Sequence, residues 1–536
     1  MKTSKFVSTL ILVSLIMVLV ASALSSRAFP VQAQNENSYE VMFSIPIGDN
    51  GVHYEGVDIP EALTWGPAAL TVSTEGDIWI ADTAGNGLLR YSPKGEFLGK
   101  IDLSGLAVGT TDLIVNKDIV LVLDQASQPP KVLRMDMKGN ILGSFDLPKG
   151  LYLEDGLTGI AQGNNGDLLI EREFGASVTQ FLDNKGVPTK NVATDGFIQN
   201  GKLYSAHISG LASANPKHGE IDIAGKKIGV DTTNELGGLQ ILGFGSIGDV
   251  YVIVEELAQS PALQVDQTIR HYDAEGNLLG TARMPIDEQY TYVAQDFAIG
   301  PDGNLYALVT RPDRVDIVRL NFYQKLDPIL ISKAVKSDIS YIKNRVNSTL
   351  TCVTRDTMIS TAQGYLNNSK YLSSTNTDGS CAGRTKPHYI IGAGTYSSVP
   401  YDYGGFDSVS SYNGYMSPGT SQAGDADSTE ETNPNCAKGV DCSGYVSRAW
   451  QLTGKLGTCG LEGVSTQLSS TSQLLRGDIM NNCGVHTVIF SGFNGSTGFY
   501  DYESTTMNNY DRVISYTSTW SRVSSYLPRR YTNVCP

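Results

Sequence analysis

The residues best suited to chemistry lie in one stretch, Gly439-Val440-Asp441-Cys442-Ser443-Gly444-Tyr445-Val446-Ser447-Arg448-Ala449-Trp450. Tyr445, Val446, Ala449 and Trp450 follow helical spacing, which predicts a helix with Cys442 in its first turn. A thiol there feels the positive end of the helix dipole, which favours thiolate and hence nucleophilicity. First-turn N–H groups lack intrahelical acceptors and can bind an oxyanion, and the small Ser443 and Gly444 leave room for a carbonyl. Such a nucleophile needs a base, and the base needs an acceptor to orient it. Two histidines occur in this half of the chain. His486 lies in the alternating strand Gly484-Val485-His486-Thr487-Val488-Ile489-Phe490 and is the expected base. His388 lies in Lys386-Pro387-His388-Tyr389, a loop with nothing to aim it, and reads as a surface residue. Downstream, Gly498-Phe499-Tyr500-Asp501-Tyr502-Glu503 predicts a neighbouring strand with Asp501 and Glu503 on one face. Glu503 is the favoured acceptor for the imidazole, with Asp501 its rival.

These elements occur in a recognisable order. Pro400-Tyr401-Asp402-Tyr403-Gly404-Gly405, then Asp441-Cys442-Ser443-Gly444, Gly477-Asp478 and the His486 strand resemble the NlpC-type cysteine peptidases of papain-like fold. The resemblance covers roughly residues 350–535. It implies Cys442 as nucleophile, His486 as base, Glu503 as orienting residue, and Tyr401 lining the site beside Asp441 and Ser443. It also implies a peptide or amide substrate, typically a peptidoglycan stem peptide. The family usually orients its base with His, Asn or Gln, so Glu503 is a departure. So is the long insertion between Gly405 and Cys442.

All seven cysteines lie in the last 185 residues: Cys352, Cys381, Cys436, Cys442, Cys459, Cys483 and Cys535. Six can form three disulfides in 15 ways in an oxidising compartment, and the motif makes Cys442 the natural one to stay free. A Cys436–Cys442 bond is the competing arrangement. Compartment is indicated at the other end. Lys2 and Lys5 precede an apolar run from Phe6 to Leu24, followed by the small-x-small site Val31-Gln32-Ala33. That pattern is a signal peptide over 1–33, or a membrane anchor if uncleaved.

Residues 34–325 have a different grammar. Gly66-Pro67-Ala68-Ala69-Leu70, Gly76-Asp77-Ile78-Trp79-Ile80-Ala81-Asp82 and Leu89-Arg90-Tyr91-Ser92-Pro93-Lys94-Gly95-Glu96-Phe97-Leu98 are echoed by Phe297-Ala298-Ile299-Gly300-Pro301-Asp302-Gly303-Asn304-Leu305-Tyr306-Ala307-Leu308. Short alternating strands with Gly turns, repeated some six times, read as β-propeller blades. The final copy lacks its outer strand, and Tyr39 to Gly48 is a lone strand able to supply it. This half resembles NHL-type six-bladed propellers; residues 200–235 form its poorest repeat.

The 536 residues carry 40 Lys+Arg against 55 Asp+Glu, a net −15 that disfavours a broad grip on nucleic acid or anionic lipid. No His, Cys or carboxylate spacing demands a metal, and no cofactor is indicated. The sequence therefore predicts a multi-domain exported protein: signal peptide 1–33, all-β six-bladed propeller 34–325, helical linker 326–350 and α+β papain-like (NlpC-type) hydrolase 351–536. The propeller is expected to bind an unidentified protein or glycan. The rival expectations are a surface adhesion protein with a vestigial hydrolase half, and a thioester-forming acyltransferase.

Overall fold

The computed structural model describes residues 38–49, 51–152, 156–163, 165–190, 192–209, 216–326, 352–426, 435–495 and 497–535. The expected signal peptide lies outside them, as does the expected linker beyond residue 326.

The strand Ile78–Asp82 shows how the first half is built. All five residues are buried, and its backbone pairs with Ala69–Val72 on one side and Gly87–Tyr91 on the other. Its two faces enter different cores. Trp79 and Ala81 pack with Leu113 and Val122 of the next sheet, whereas Ile78 and Ile80 pack with Leu308 and Ile317 of the last. A strand covered on both faces is apolar throughout, so alternation is lost at the inner positions. At the rim, Phe97–Asp102 leaves Phe97 and Leu98 exposed.

Six four-stranded antiparallel sheets repeat this plan across residues 69–102, 110–146, 157–194, 197–231, 235–283, and 297–320 with 39–46. The last is completed by the strand Tyr39–Pro46, registered from Tyr39 opposite Leu320 to Pro46 opposite Arg314. The Leu70 N–H donates to the carbonyl of Gln295, joining the first sheet to the last. The arrangement is a β-propeller closed by its own N-terminal strand, which removes an open edge. Its rim hairpins have a shared chemistry. Asp136, Asp183 and Asp273 each accept the backbone N–H groups two and four residues on, at 2.7–3.0 Å. Gly139, Gly186 and Gly276 follow at φ +85°, +81° and +77°, a conformation that favours glycine.

After the propeller, the strands Ser465–Gln467, Leu527–Tyr531, Ile479–Asn482, His486–Phe493, Phe499–Thr505 and Arg512–Ser518 form, in that order, one antiparallel sheet. The helices Arg355–Leu366 and Cys442–Ala449 pack on it through Met358, Ala362, Tyr445, Val446 and Ala449 against Ile479, Ile489, Tyr502 and Val513. Disulfides join Cys352 to Cys535, Cys381 to Cys436, and Cys459 to Cys483. They belong to an oxidising, extracellular type of setting. Among the described residues, no helix is long and apolar enough to cross a membrane.

The halves share hydrophobic core, which the sequence does not announce. The 11-residue strands Val250–Ser260 and Ala262–Tyr272 are the longest of the propeller. Their Leu257, Leu263 and Val265 pack with Met480, Val488, Phe490, Phe499, Trp520 and Tyr526 of the second half. Backbone bonds Leu263 N–H to Tyr526 O (2.9 Å) and Ser525 N–H to Leu263 O (2.8 Å) extend the hairpin into it.

Candidate active site

Cys442 opens the helix Cys442–Ala449 because Asp441 caps it. The Asp441 carboxylate accepts the Gly444 N–H at 2.7 Å, the Ser443 hydroxyl at 3.1 Å and the Gly404 N–H at 2.9 Å. Lys455 pairs with it at 2.7 Å. Asp441 and Ser443 are thus engaged in shaping the turn that carries the thiol. Cys442 is the free cysteine and is 1% exposed. Burial, and then the charges of Asp441 and Glu61, push its thiol well above the usual range, against opposing contributions from Lys455 and the Thr487 N–H. This dry, acidic setting opposes the helix dipole expected to favour thiolate.

Thr487 follows His486, so the sulfur lies against the start of the His486 strand. His486 is also buried, and its Nε2 sits 2.6 Å from Glu503 Oε2. Nδ1 is the ring nitrogen that Glu503 does not engage. Glu503 is held in turn by Arg522, whose Nη2 donates to both carboxylate oxygens at 2.6 and 2.8 Å. Burial alone would raise the Glu503 carboxyl; Arg522 and then His486 reverse this and bring it down to about 2. Asp501, the rival acceptor, takes the Ser518 hydroxyl at 2.6 Å, and Ser518 receives Arg522 Nη1 at 2.7 Å. The Ser504 hydroxyl donates to Val440 O at 2.6 Å, tying the Glu503 strand to the loop before Cys442.

Tyr401 is buried, with its backbone fixed by its N–H to Asp511 O and by Asp425 N–H to its own carbonyl. Its phenol is pushed far up by burial and by the neighbouring Cys442 and Asp441. His388, expected as an unaimed surface residue, is half-exposed but held at 2.7 Å by Asp511, whose hydrogen bond raises its pKa against burial. It is a structural partner of the loop that fixes Tyr401.

Two features escaped the sequence. Arg522 lies in a short 3-10 turn, Ser521–Val523, with no periodic signal to mark it. The other is a propeller segment bonded to the loops and helix around the site. Glu61 adopts φ +62° and donates its N–H to Gly484 O at 2.9 Å. Its carboxylate receives the Thr458 N–H (3.0 and 2.8 Å) and hydroxyl (2.9 Å), capping the helix Thr458–Gly463, whose own N-cap is Gly457. Beside it, Tyr403 donates to Pro60 O at 2.8 Å. No periodicity in either half connects Glu61 with a helix about four hundred residues away.

Among the described residues no group of three or more His, Cys, Asp or Glu is placed to hold a metal ion. Cys442 and His486 supply a buried thiol and an imidazole oriented by a carboxylate, the groups that nucleophilic attack with proton transfer calls for.

No protein family and no curated protein matches the chain. Solved structures do. Virginiamycin B lyase from Staphylococcus aureus is 14% identical, covering 50% of this chain and 99% of its own, with a TM-score of 0.28. Hsv2 from Kluyvelomyces marxianus is 11% identical, covering 51% and 77%, with a TM-score of 0.29. The WD40 repeats of RRP9 are 10% identical, covering 48% and 95%, with a TM-score of 0.28. At such scores the likeness carries nothing about chemistry.

Proposed function

We propose that the protein is an exported cysteine hydrolase of papain-like (NlpC) type that cleaves peptide or amide bonds, most fittingly in peptidoglycan stem peptides. The observation that supports this best is the line of buried groups Arg522–Glu503–His486, with the N–H of the next residue, Thr487, against the free thiol of Cys442. A structural cysteine needs no oriented imidazole. In the reaction, His486 Nδ1 takes the Cys442 proton as sulfur attacks the carbonyl carbon. The first-turn N–H groups receive the oxyanion. Collapse passes that proton to the leaving amine and leaves a thioester. Water, deprotonated by His486, then releases the carboxylate and regenerates the thiol. Glu503 and Arg522 keep the imidazole in the required tautomer, and Tyr401 borders the sulfur.

Purified peptidoglycan, incubated with the mature protein and with Cys442→Ala, tests this by mass spectrometry of the soluble fragments. New peptide termini from the parent alone are expected. Cleavage retained by Cys442→Ala refutes the mechanism. Absence of cleavage by the parent, with Cys442 shown free by alkylation after unfolding, moves the reading to a binding protein. Accumulation of a new amide in place of a carboxylate marks an acyltransferase.

A further inference from the structure

A cavity of about 460 Å³ lies where the propeller meets the second half, and it reaches the back of the catalytic line. One wall includes Val485, which precedes His486, together with Arg522 and Tyr526. Arg522 is the group that holds Glu503, and Tyr526, its phenol raised chiefly by burial, lies within electrostatic reach of Arg522, Glu503 and Cys442. A ligand in this space meets Arg522, which holds Glu503, and the residue that precedes His486 in the chain. The facing wall is propeller and includes Asp287, Tyr290, Tyr292 and Asp296.

That wall is acidic and uncompensated. Among the described residues, neither Asp287 nor Asp296 takes part in an ion pair. Their charged neighbours are acids that already have partners: Asp266 is paired with Arg283, Glu288 with Arg311, and Glu255 accepts the N–H groups of Trp520 and Ser521. The one cation on the cavity, Arg522, is committed to Glu503. Asp296, only partly screened by protein at the cavity surface, still sits deep enough that loss of water and the nearby Glu255 bring its carboxyl up to about 8. A carboxylate in such a place is costly alone and is relieved by a cation that enters with it.

We propose that this cavity binds a cationic, amine-bearing part of the substrate, with Asp287 and Asp296 as its acceptors, so that the propeller forms one wall of the specificity site. The inference rests on the hydrolase function proposed above. Leu63 and Thr64, from the same propeller segment as Glu61, border the cavity as well. The segment whose Glu61 acts on the thiol thus also bounds the amine site, and a substrate engages both halves at once.

Binding and cleavage are measured separately. Soluble muropeptides carrying free amines, and the same pool after N-acetylation, are titrated calorimetrically into Cys442→Ala protein and into Cys442→Ala carrying Asp287→Asn and Asp296→Asn. The expected result is at least tenfold weaker binding after acetylation, and an equal loss when both acids are replaced, with no further effect of acetylation on the double replacement. Equal binding of free and acetylated pools overturns the proposal, as does absence of binding by the free-amine pool. The acetylation arm needs no acid substitution, so it stands if the asparagine variants fold poorly. Cleavage by the parent is scored independently: binding as expected without cleavage removes the hydrolase function but keeps the amine site, and cleavage indifferent to acetylation does the reverse.

Discussion

Glu503 rather than Asp501 reaches His486 because of strand register. Ile489 lies opposite Tyr502, so Val488 faces Glu503 and His486 stands one diagonal step away, within reach of a long side chain. Asp501 is two residues further from the imidazole and is taken up by Ser518. Period-two alternation put both acids on one face in the sequence; choosing between them required the register, which depends on how two strands meet. The placement of Cys442 at a helix start and of His486 on a strand was legible because helical spacing and strict alternation mark those elements. Arg522 was not, since an arginine in a polar turn carries no pattern. Replacing Glu503 by Gln should lower turnover on the order of 10²- to 10⁴-fold, against less than tenfold for Asp501→Asn, read from initial rates. The same change leaves Arg522 buried without its main counter-charge and should cost about 3–5 kcal/mol of stability. There is also a pH signature. The folded Glu503 carboxyl is depressed to about 2, so its stabilisation is complete above the ordinary glutamate range and is lost as pH falls through that range towards 2. Urea unfolding at stepped pH should show a steeper acid loss in the parent than in Glu503→Gln; parallel curves would contradict the ion pair.

At the scale of elements, the hairpin turns were the most readable features, because an Asp two residues before a Lys or Glu and three before a Gly fixes the turn by local hydrogen bonds. The closing strand Tyr39–Pro46 was readable for a related reason: a lone strand at one end matched a missing one at the other. The Pro60–Glu61 segment is the opposite case, since its partners at Tyr403, Thr458 and Gly484 are distant in sequence. The charge of Glu61 supplies part of the thiol's raised pKa. Glu61→Ala removes the cap of the Thr458 helix, a loss of about 1 kcal/mol by analogy with ordinary caps. It also removes one negative charge near the sulfur. Folded parent protein should therefore react slowly with iodoacetamide, and Glu61→Ala several-fold faster, with the apparent thiol pKa moved down. Trapping by mass spectrometry at intervals across pH 7–10 measures both. Identical rates would mean that the segment does not control access to Cys442.

For the molecule as a whole, composition and repeat length indicated two successive modules, and the structure has them sharing one core. What the sequence lacked was any mark that the hairpin 250–272 extends past its blade, because its extra residues alternate like the rest and their partners lie some two hundred residues on. Leu263, almost fully buried, packs against the second half, and the buried Glu255 accepts two of that half's backbone N–H groups at 3.1 Å. Separating the halves would expose this apolar surface and strand a buried carboxylate, costs that argue for joint rather than independent unfolding. All three disulfides lie in the second half, which gives a way to perturb one side chemically. Heating the oxidised protein should give a single calorimetric transition. Mild reduction should lower that transition as a unit, with propeller strands losing hydrogen-exchange protection at the same temperature as the His486 sheet. Leu263→Ala, a propeller substitution expected to cost about 2–5 kcal/mol, should lower the same transition in both halves. If reduction instead splits off a low-temperature transition confined to residues 352–535 while propeller amides stay protected, the shared core does not couple the halves, and the propeller is only a tether for the second half.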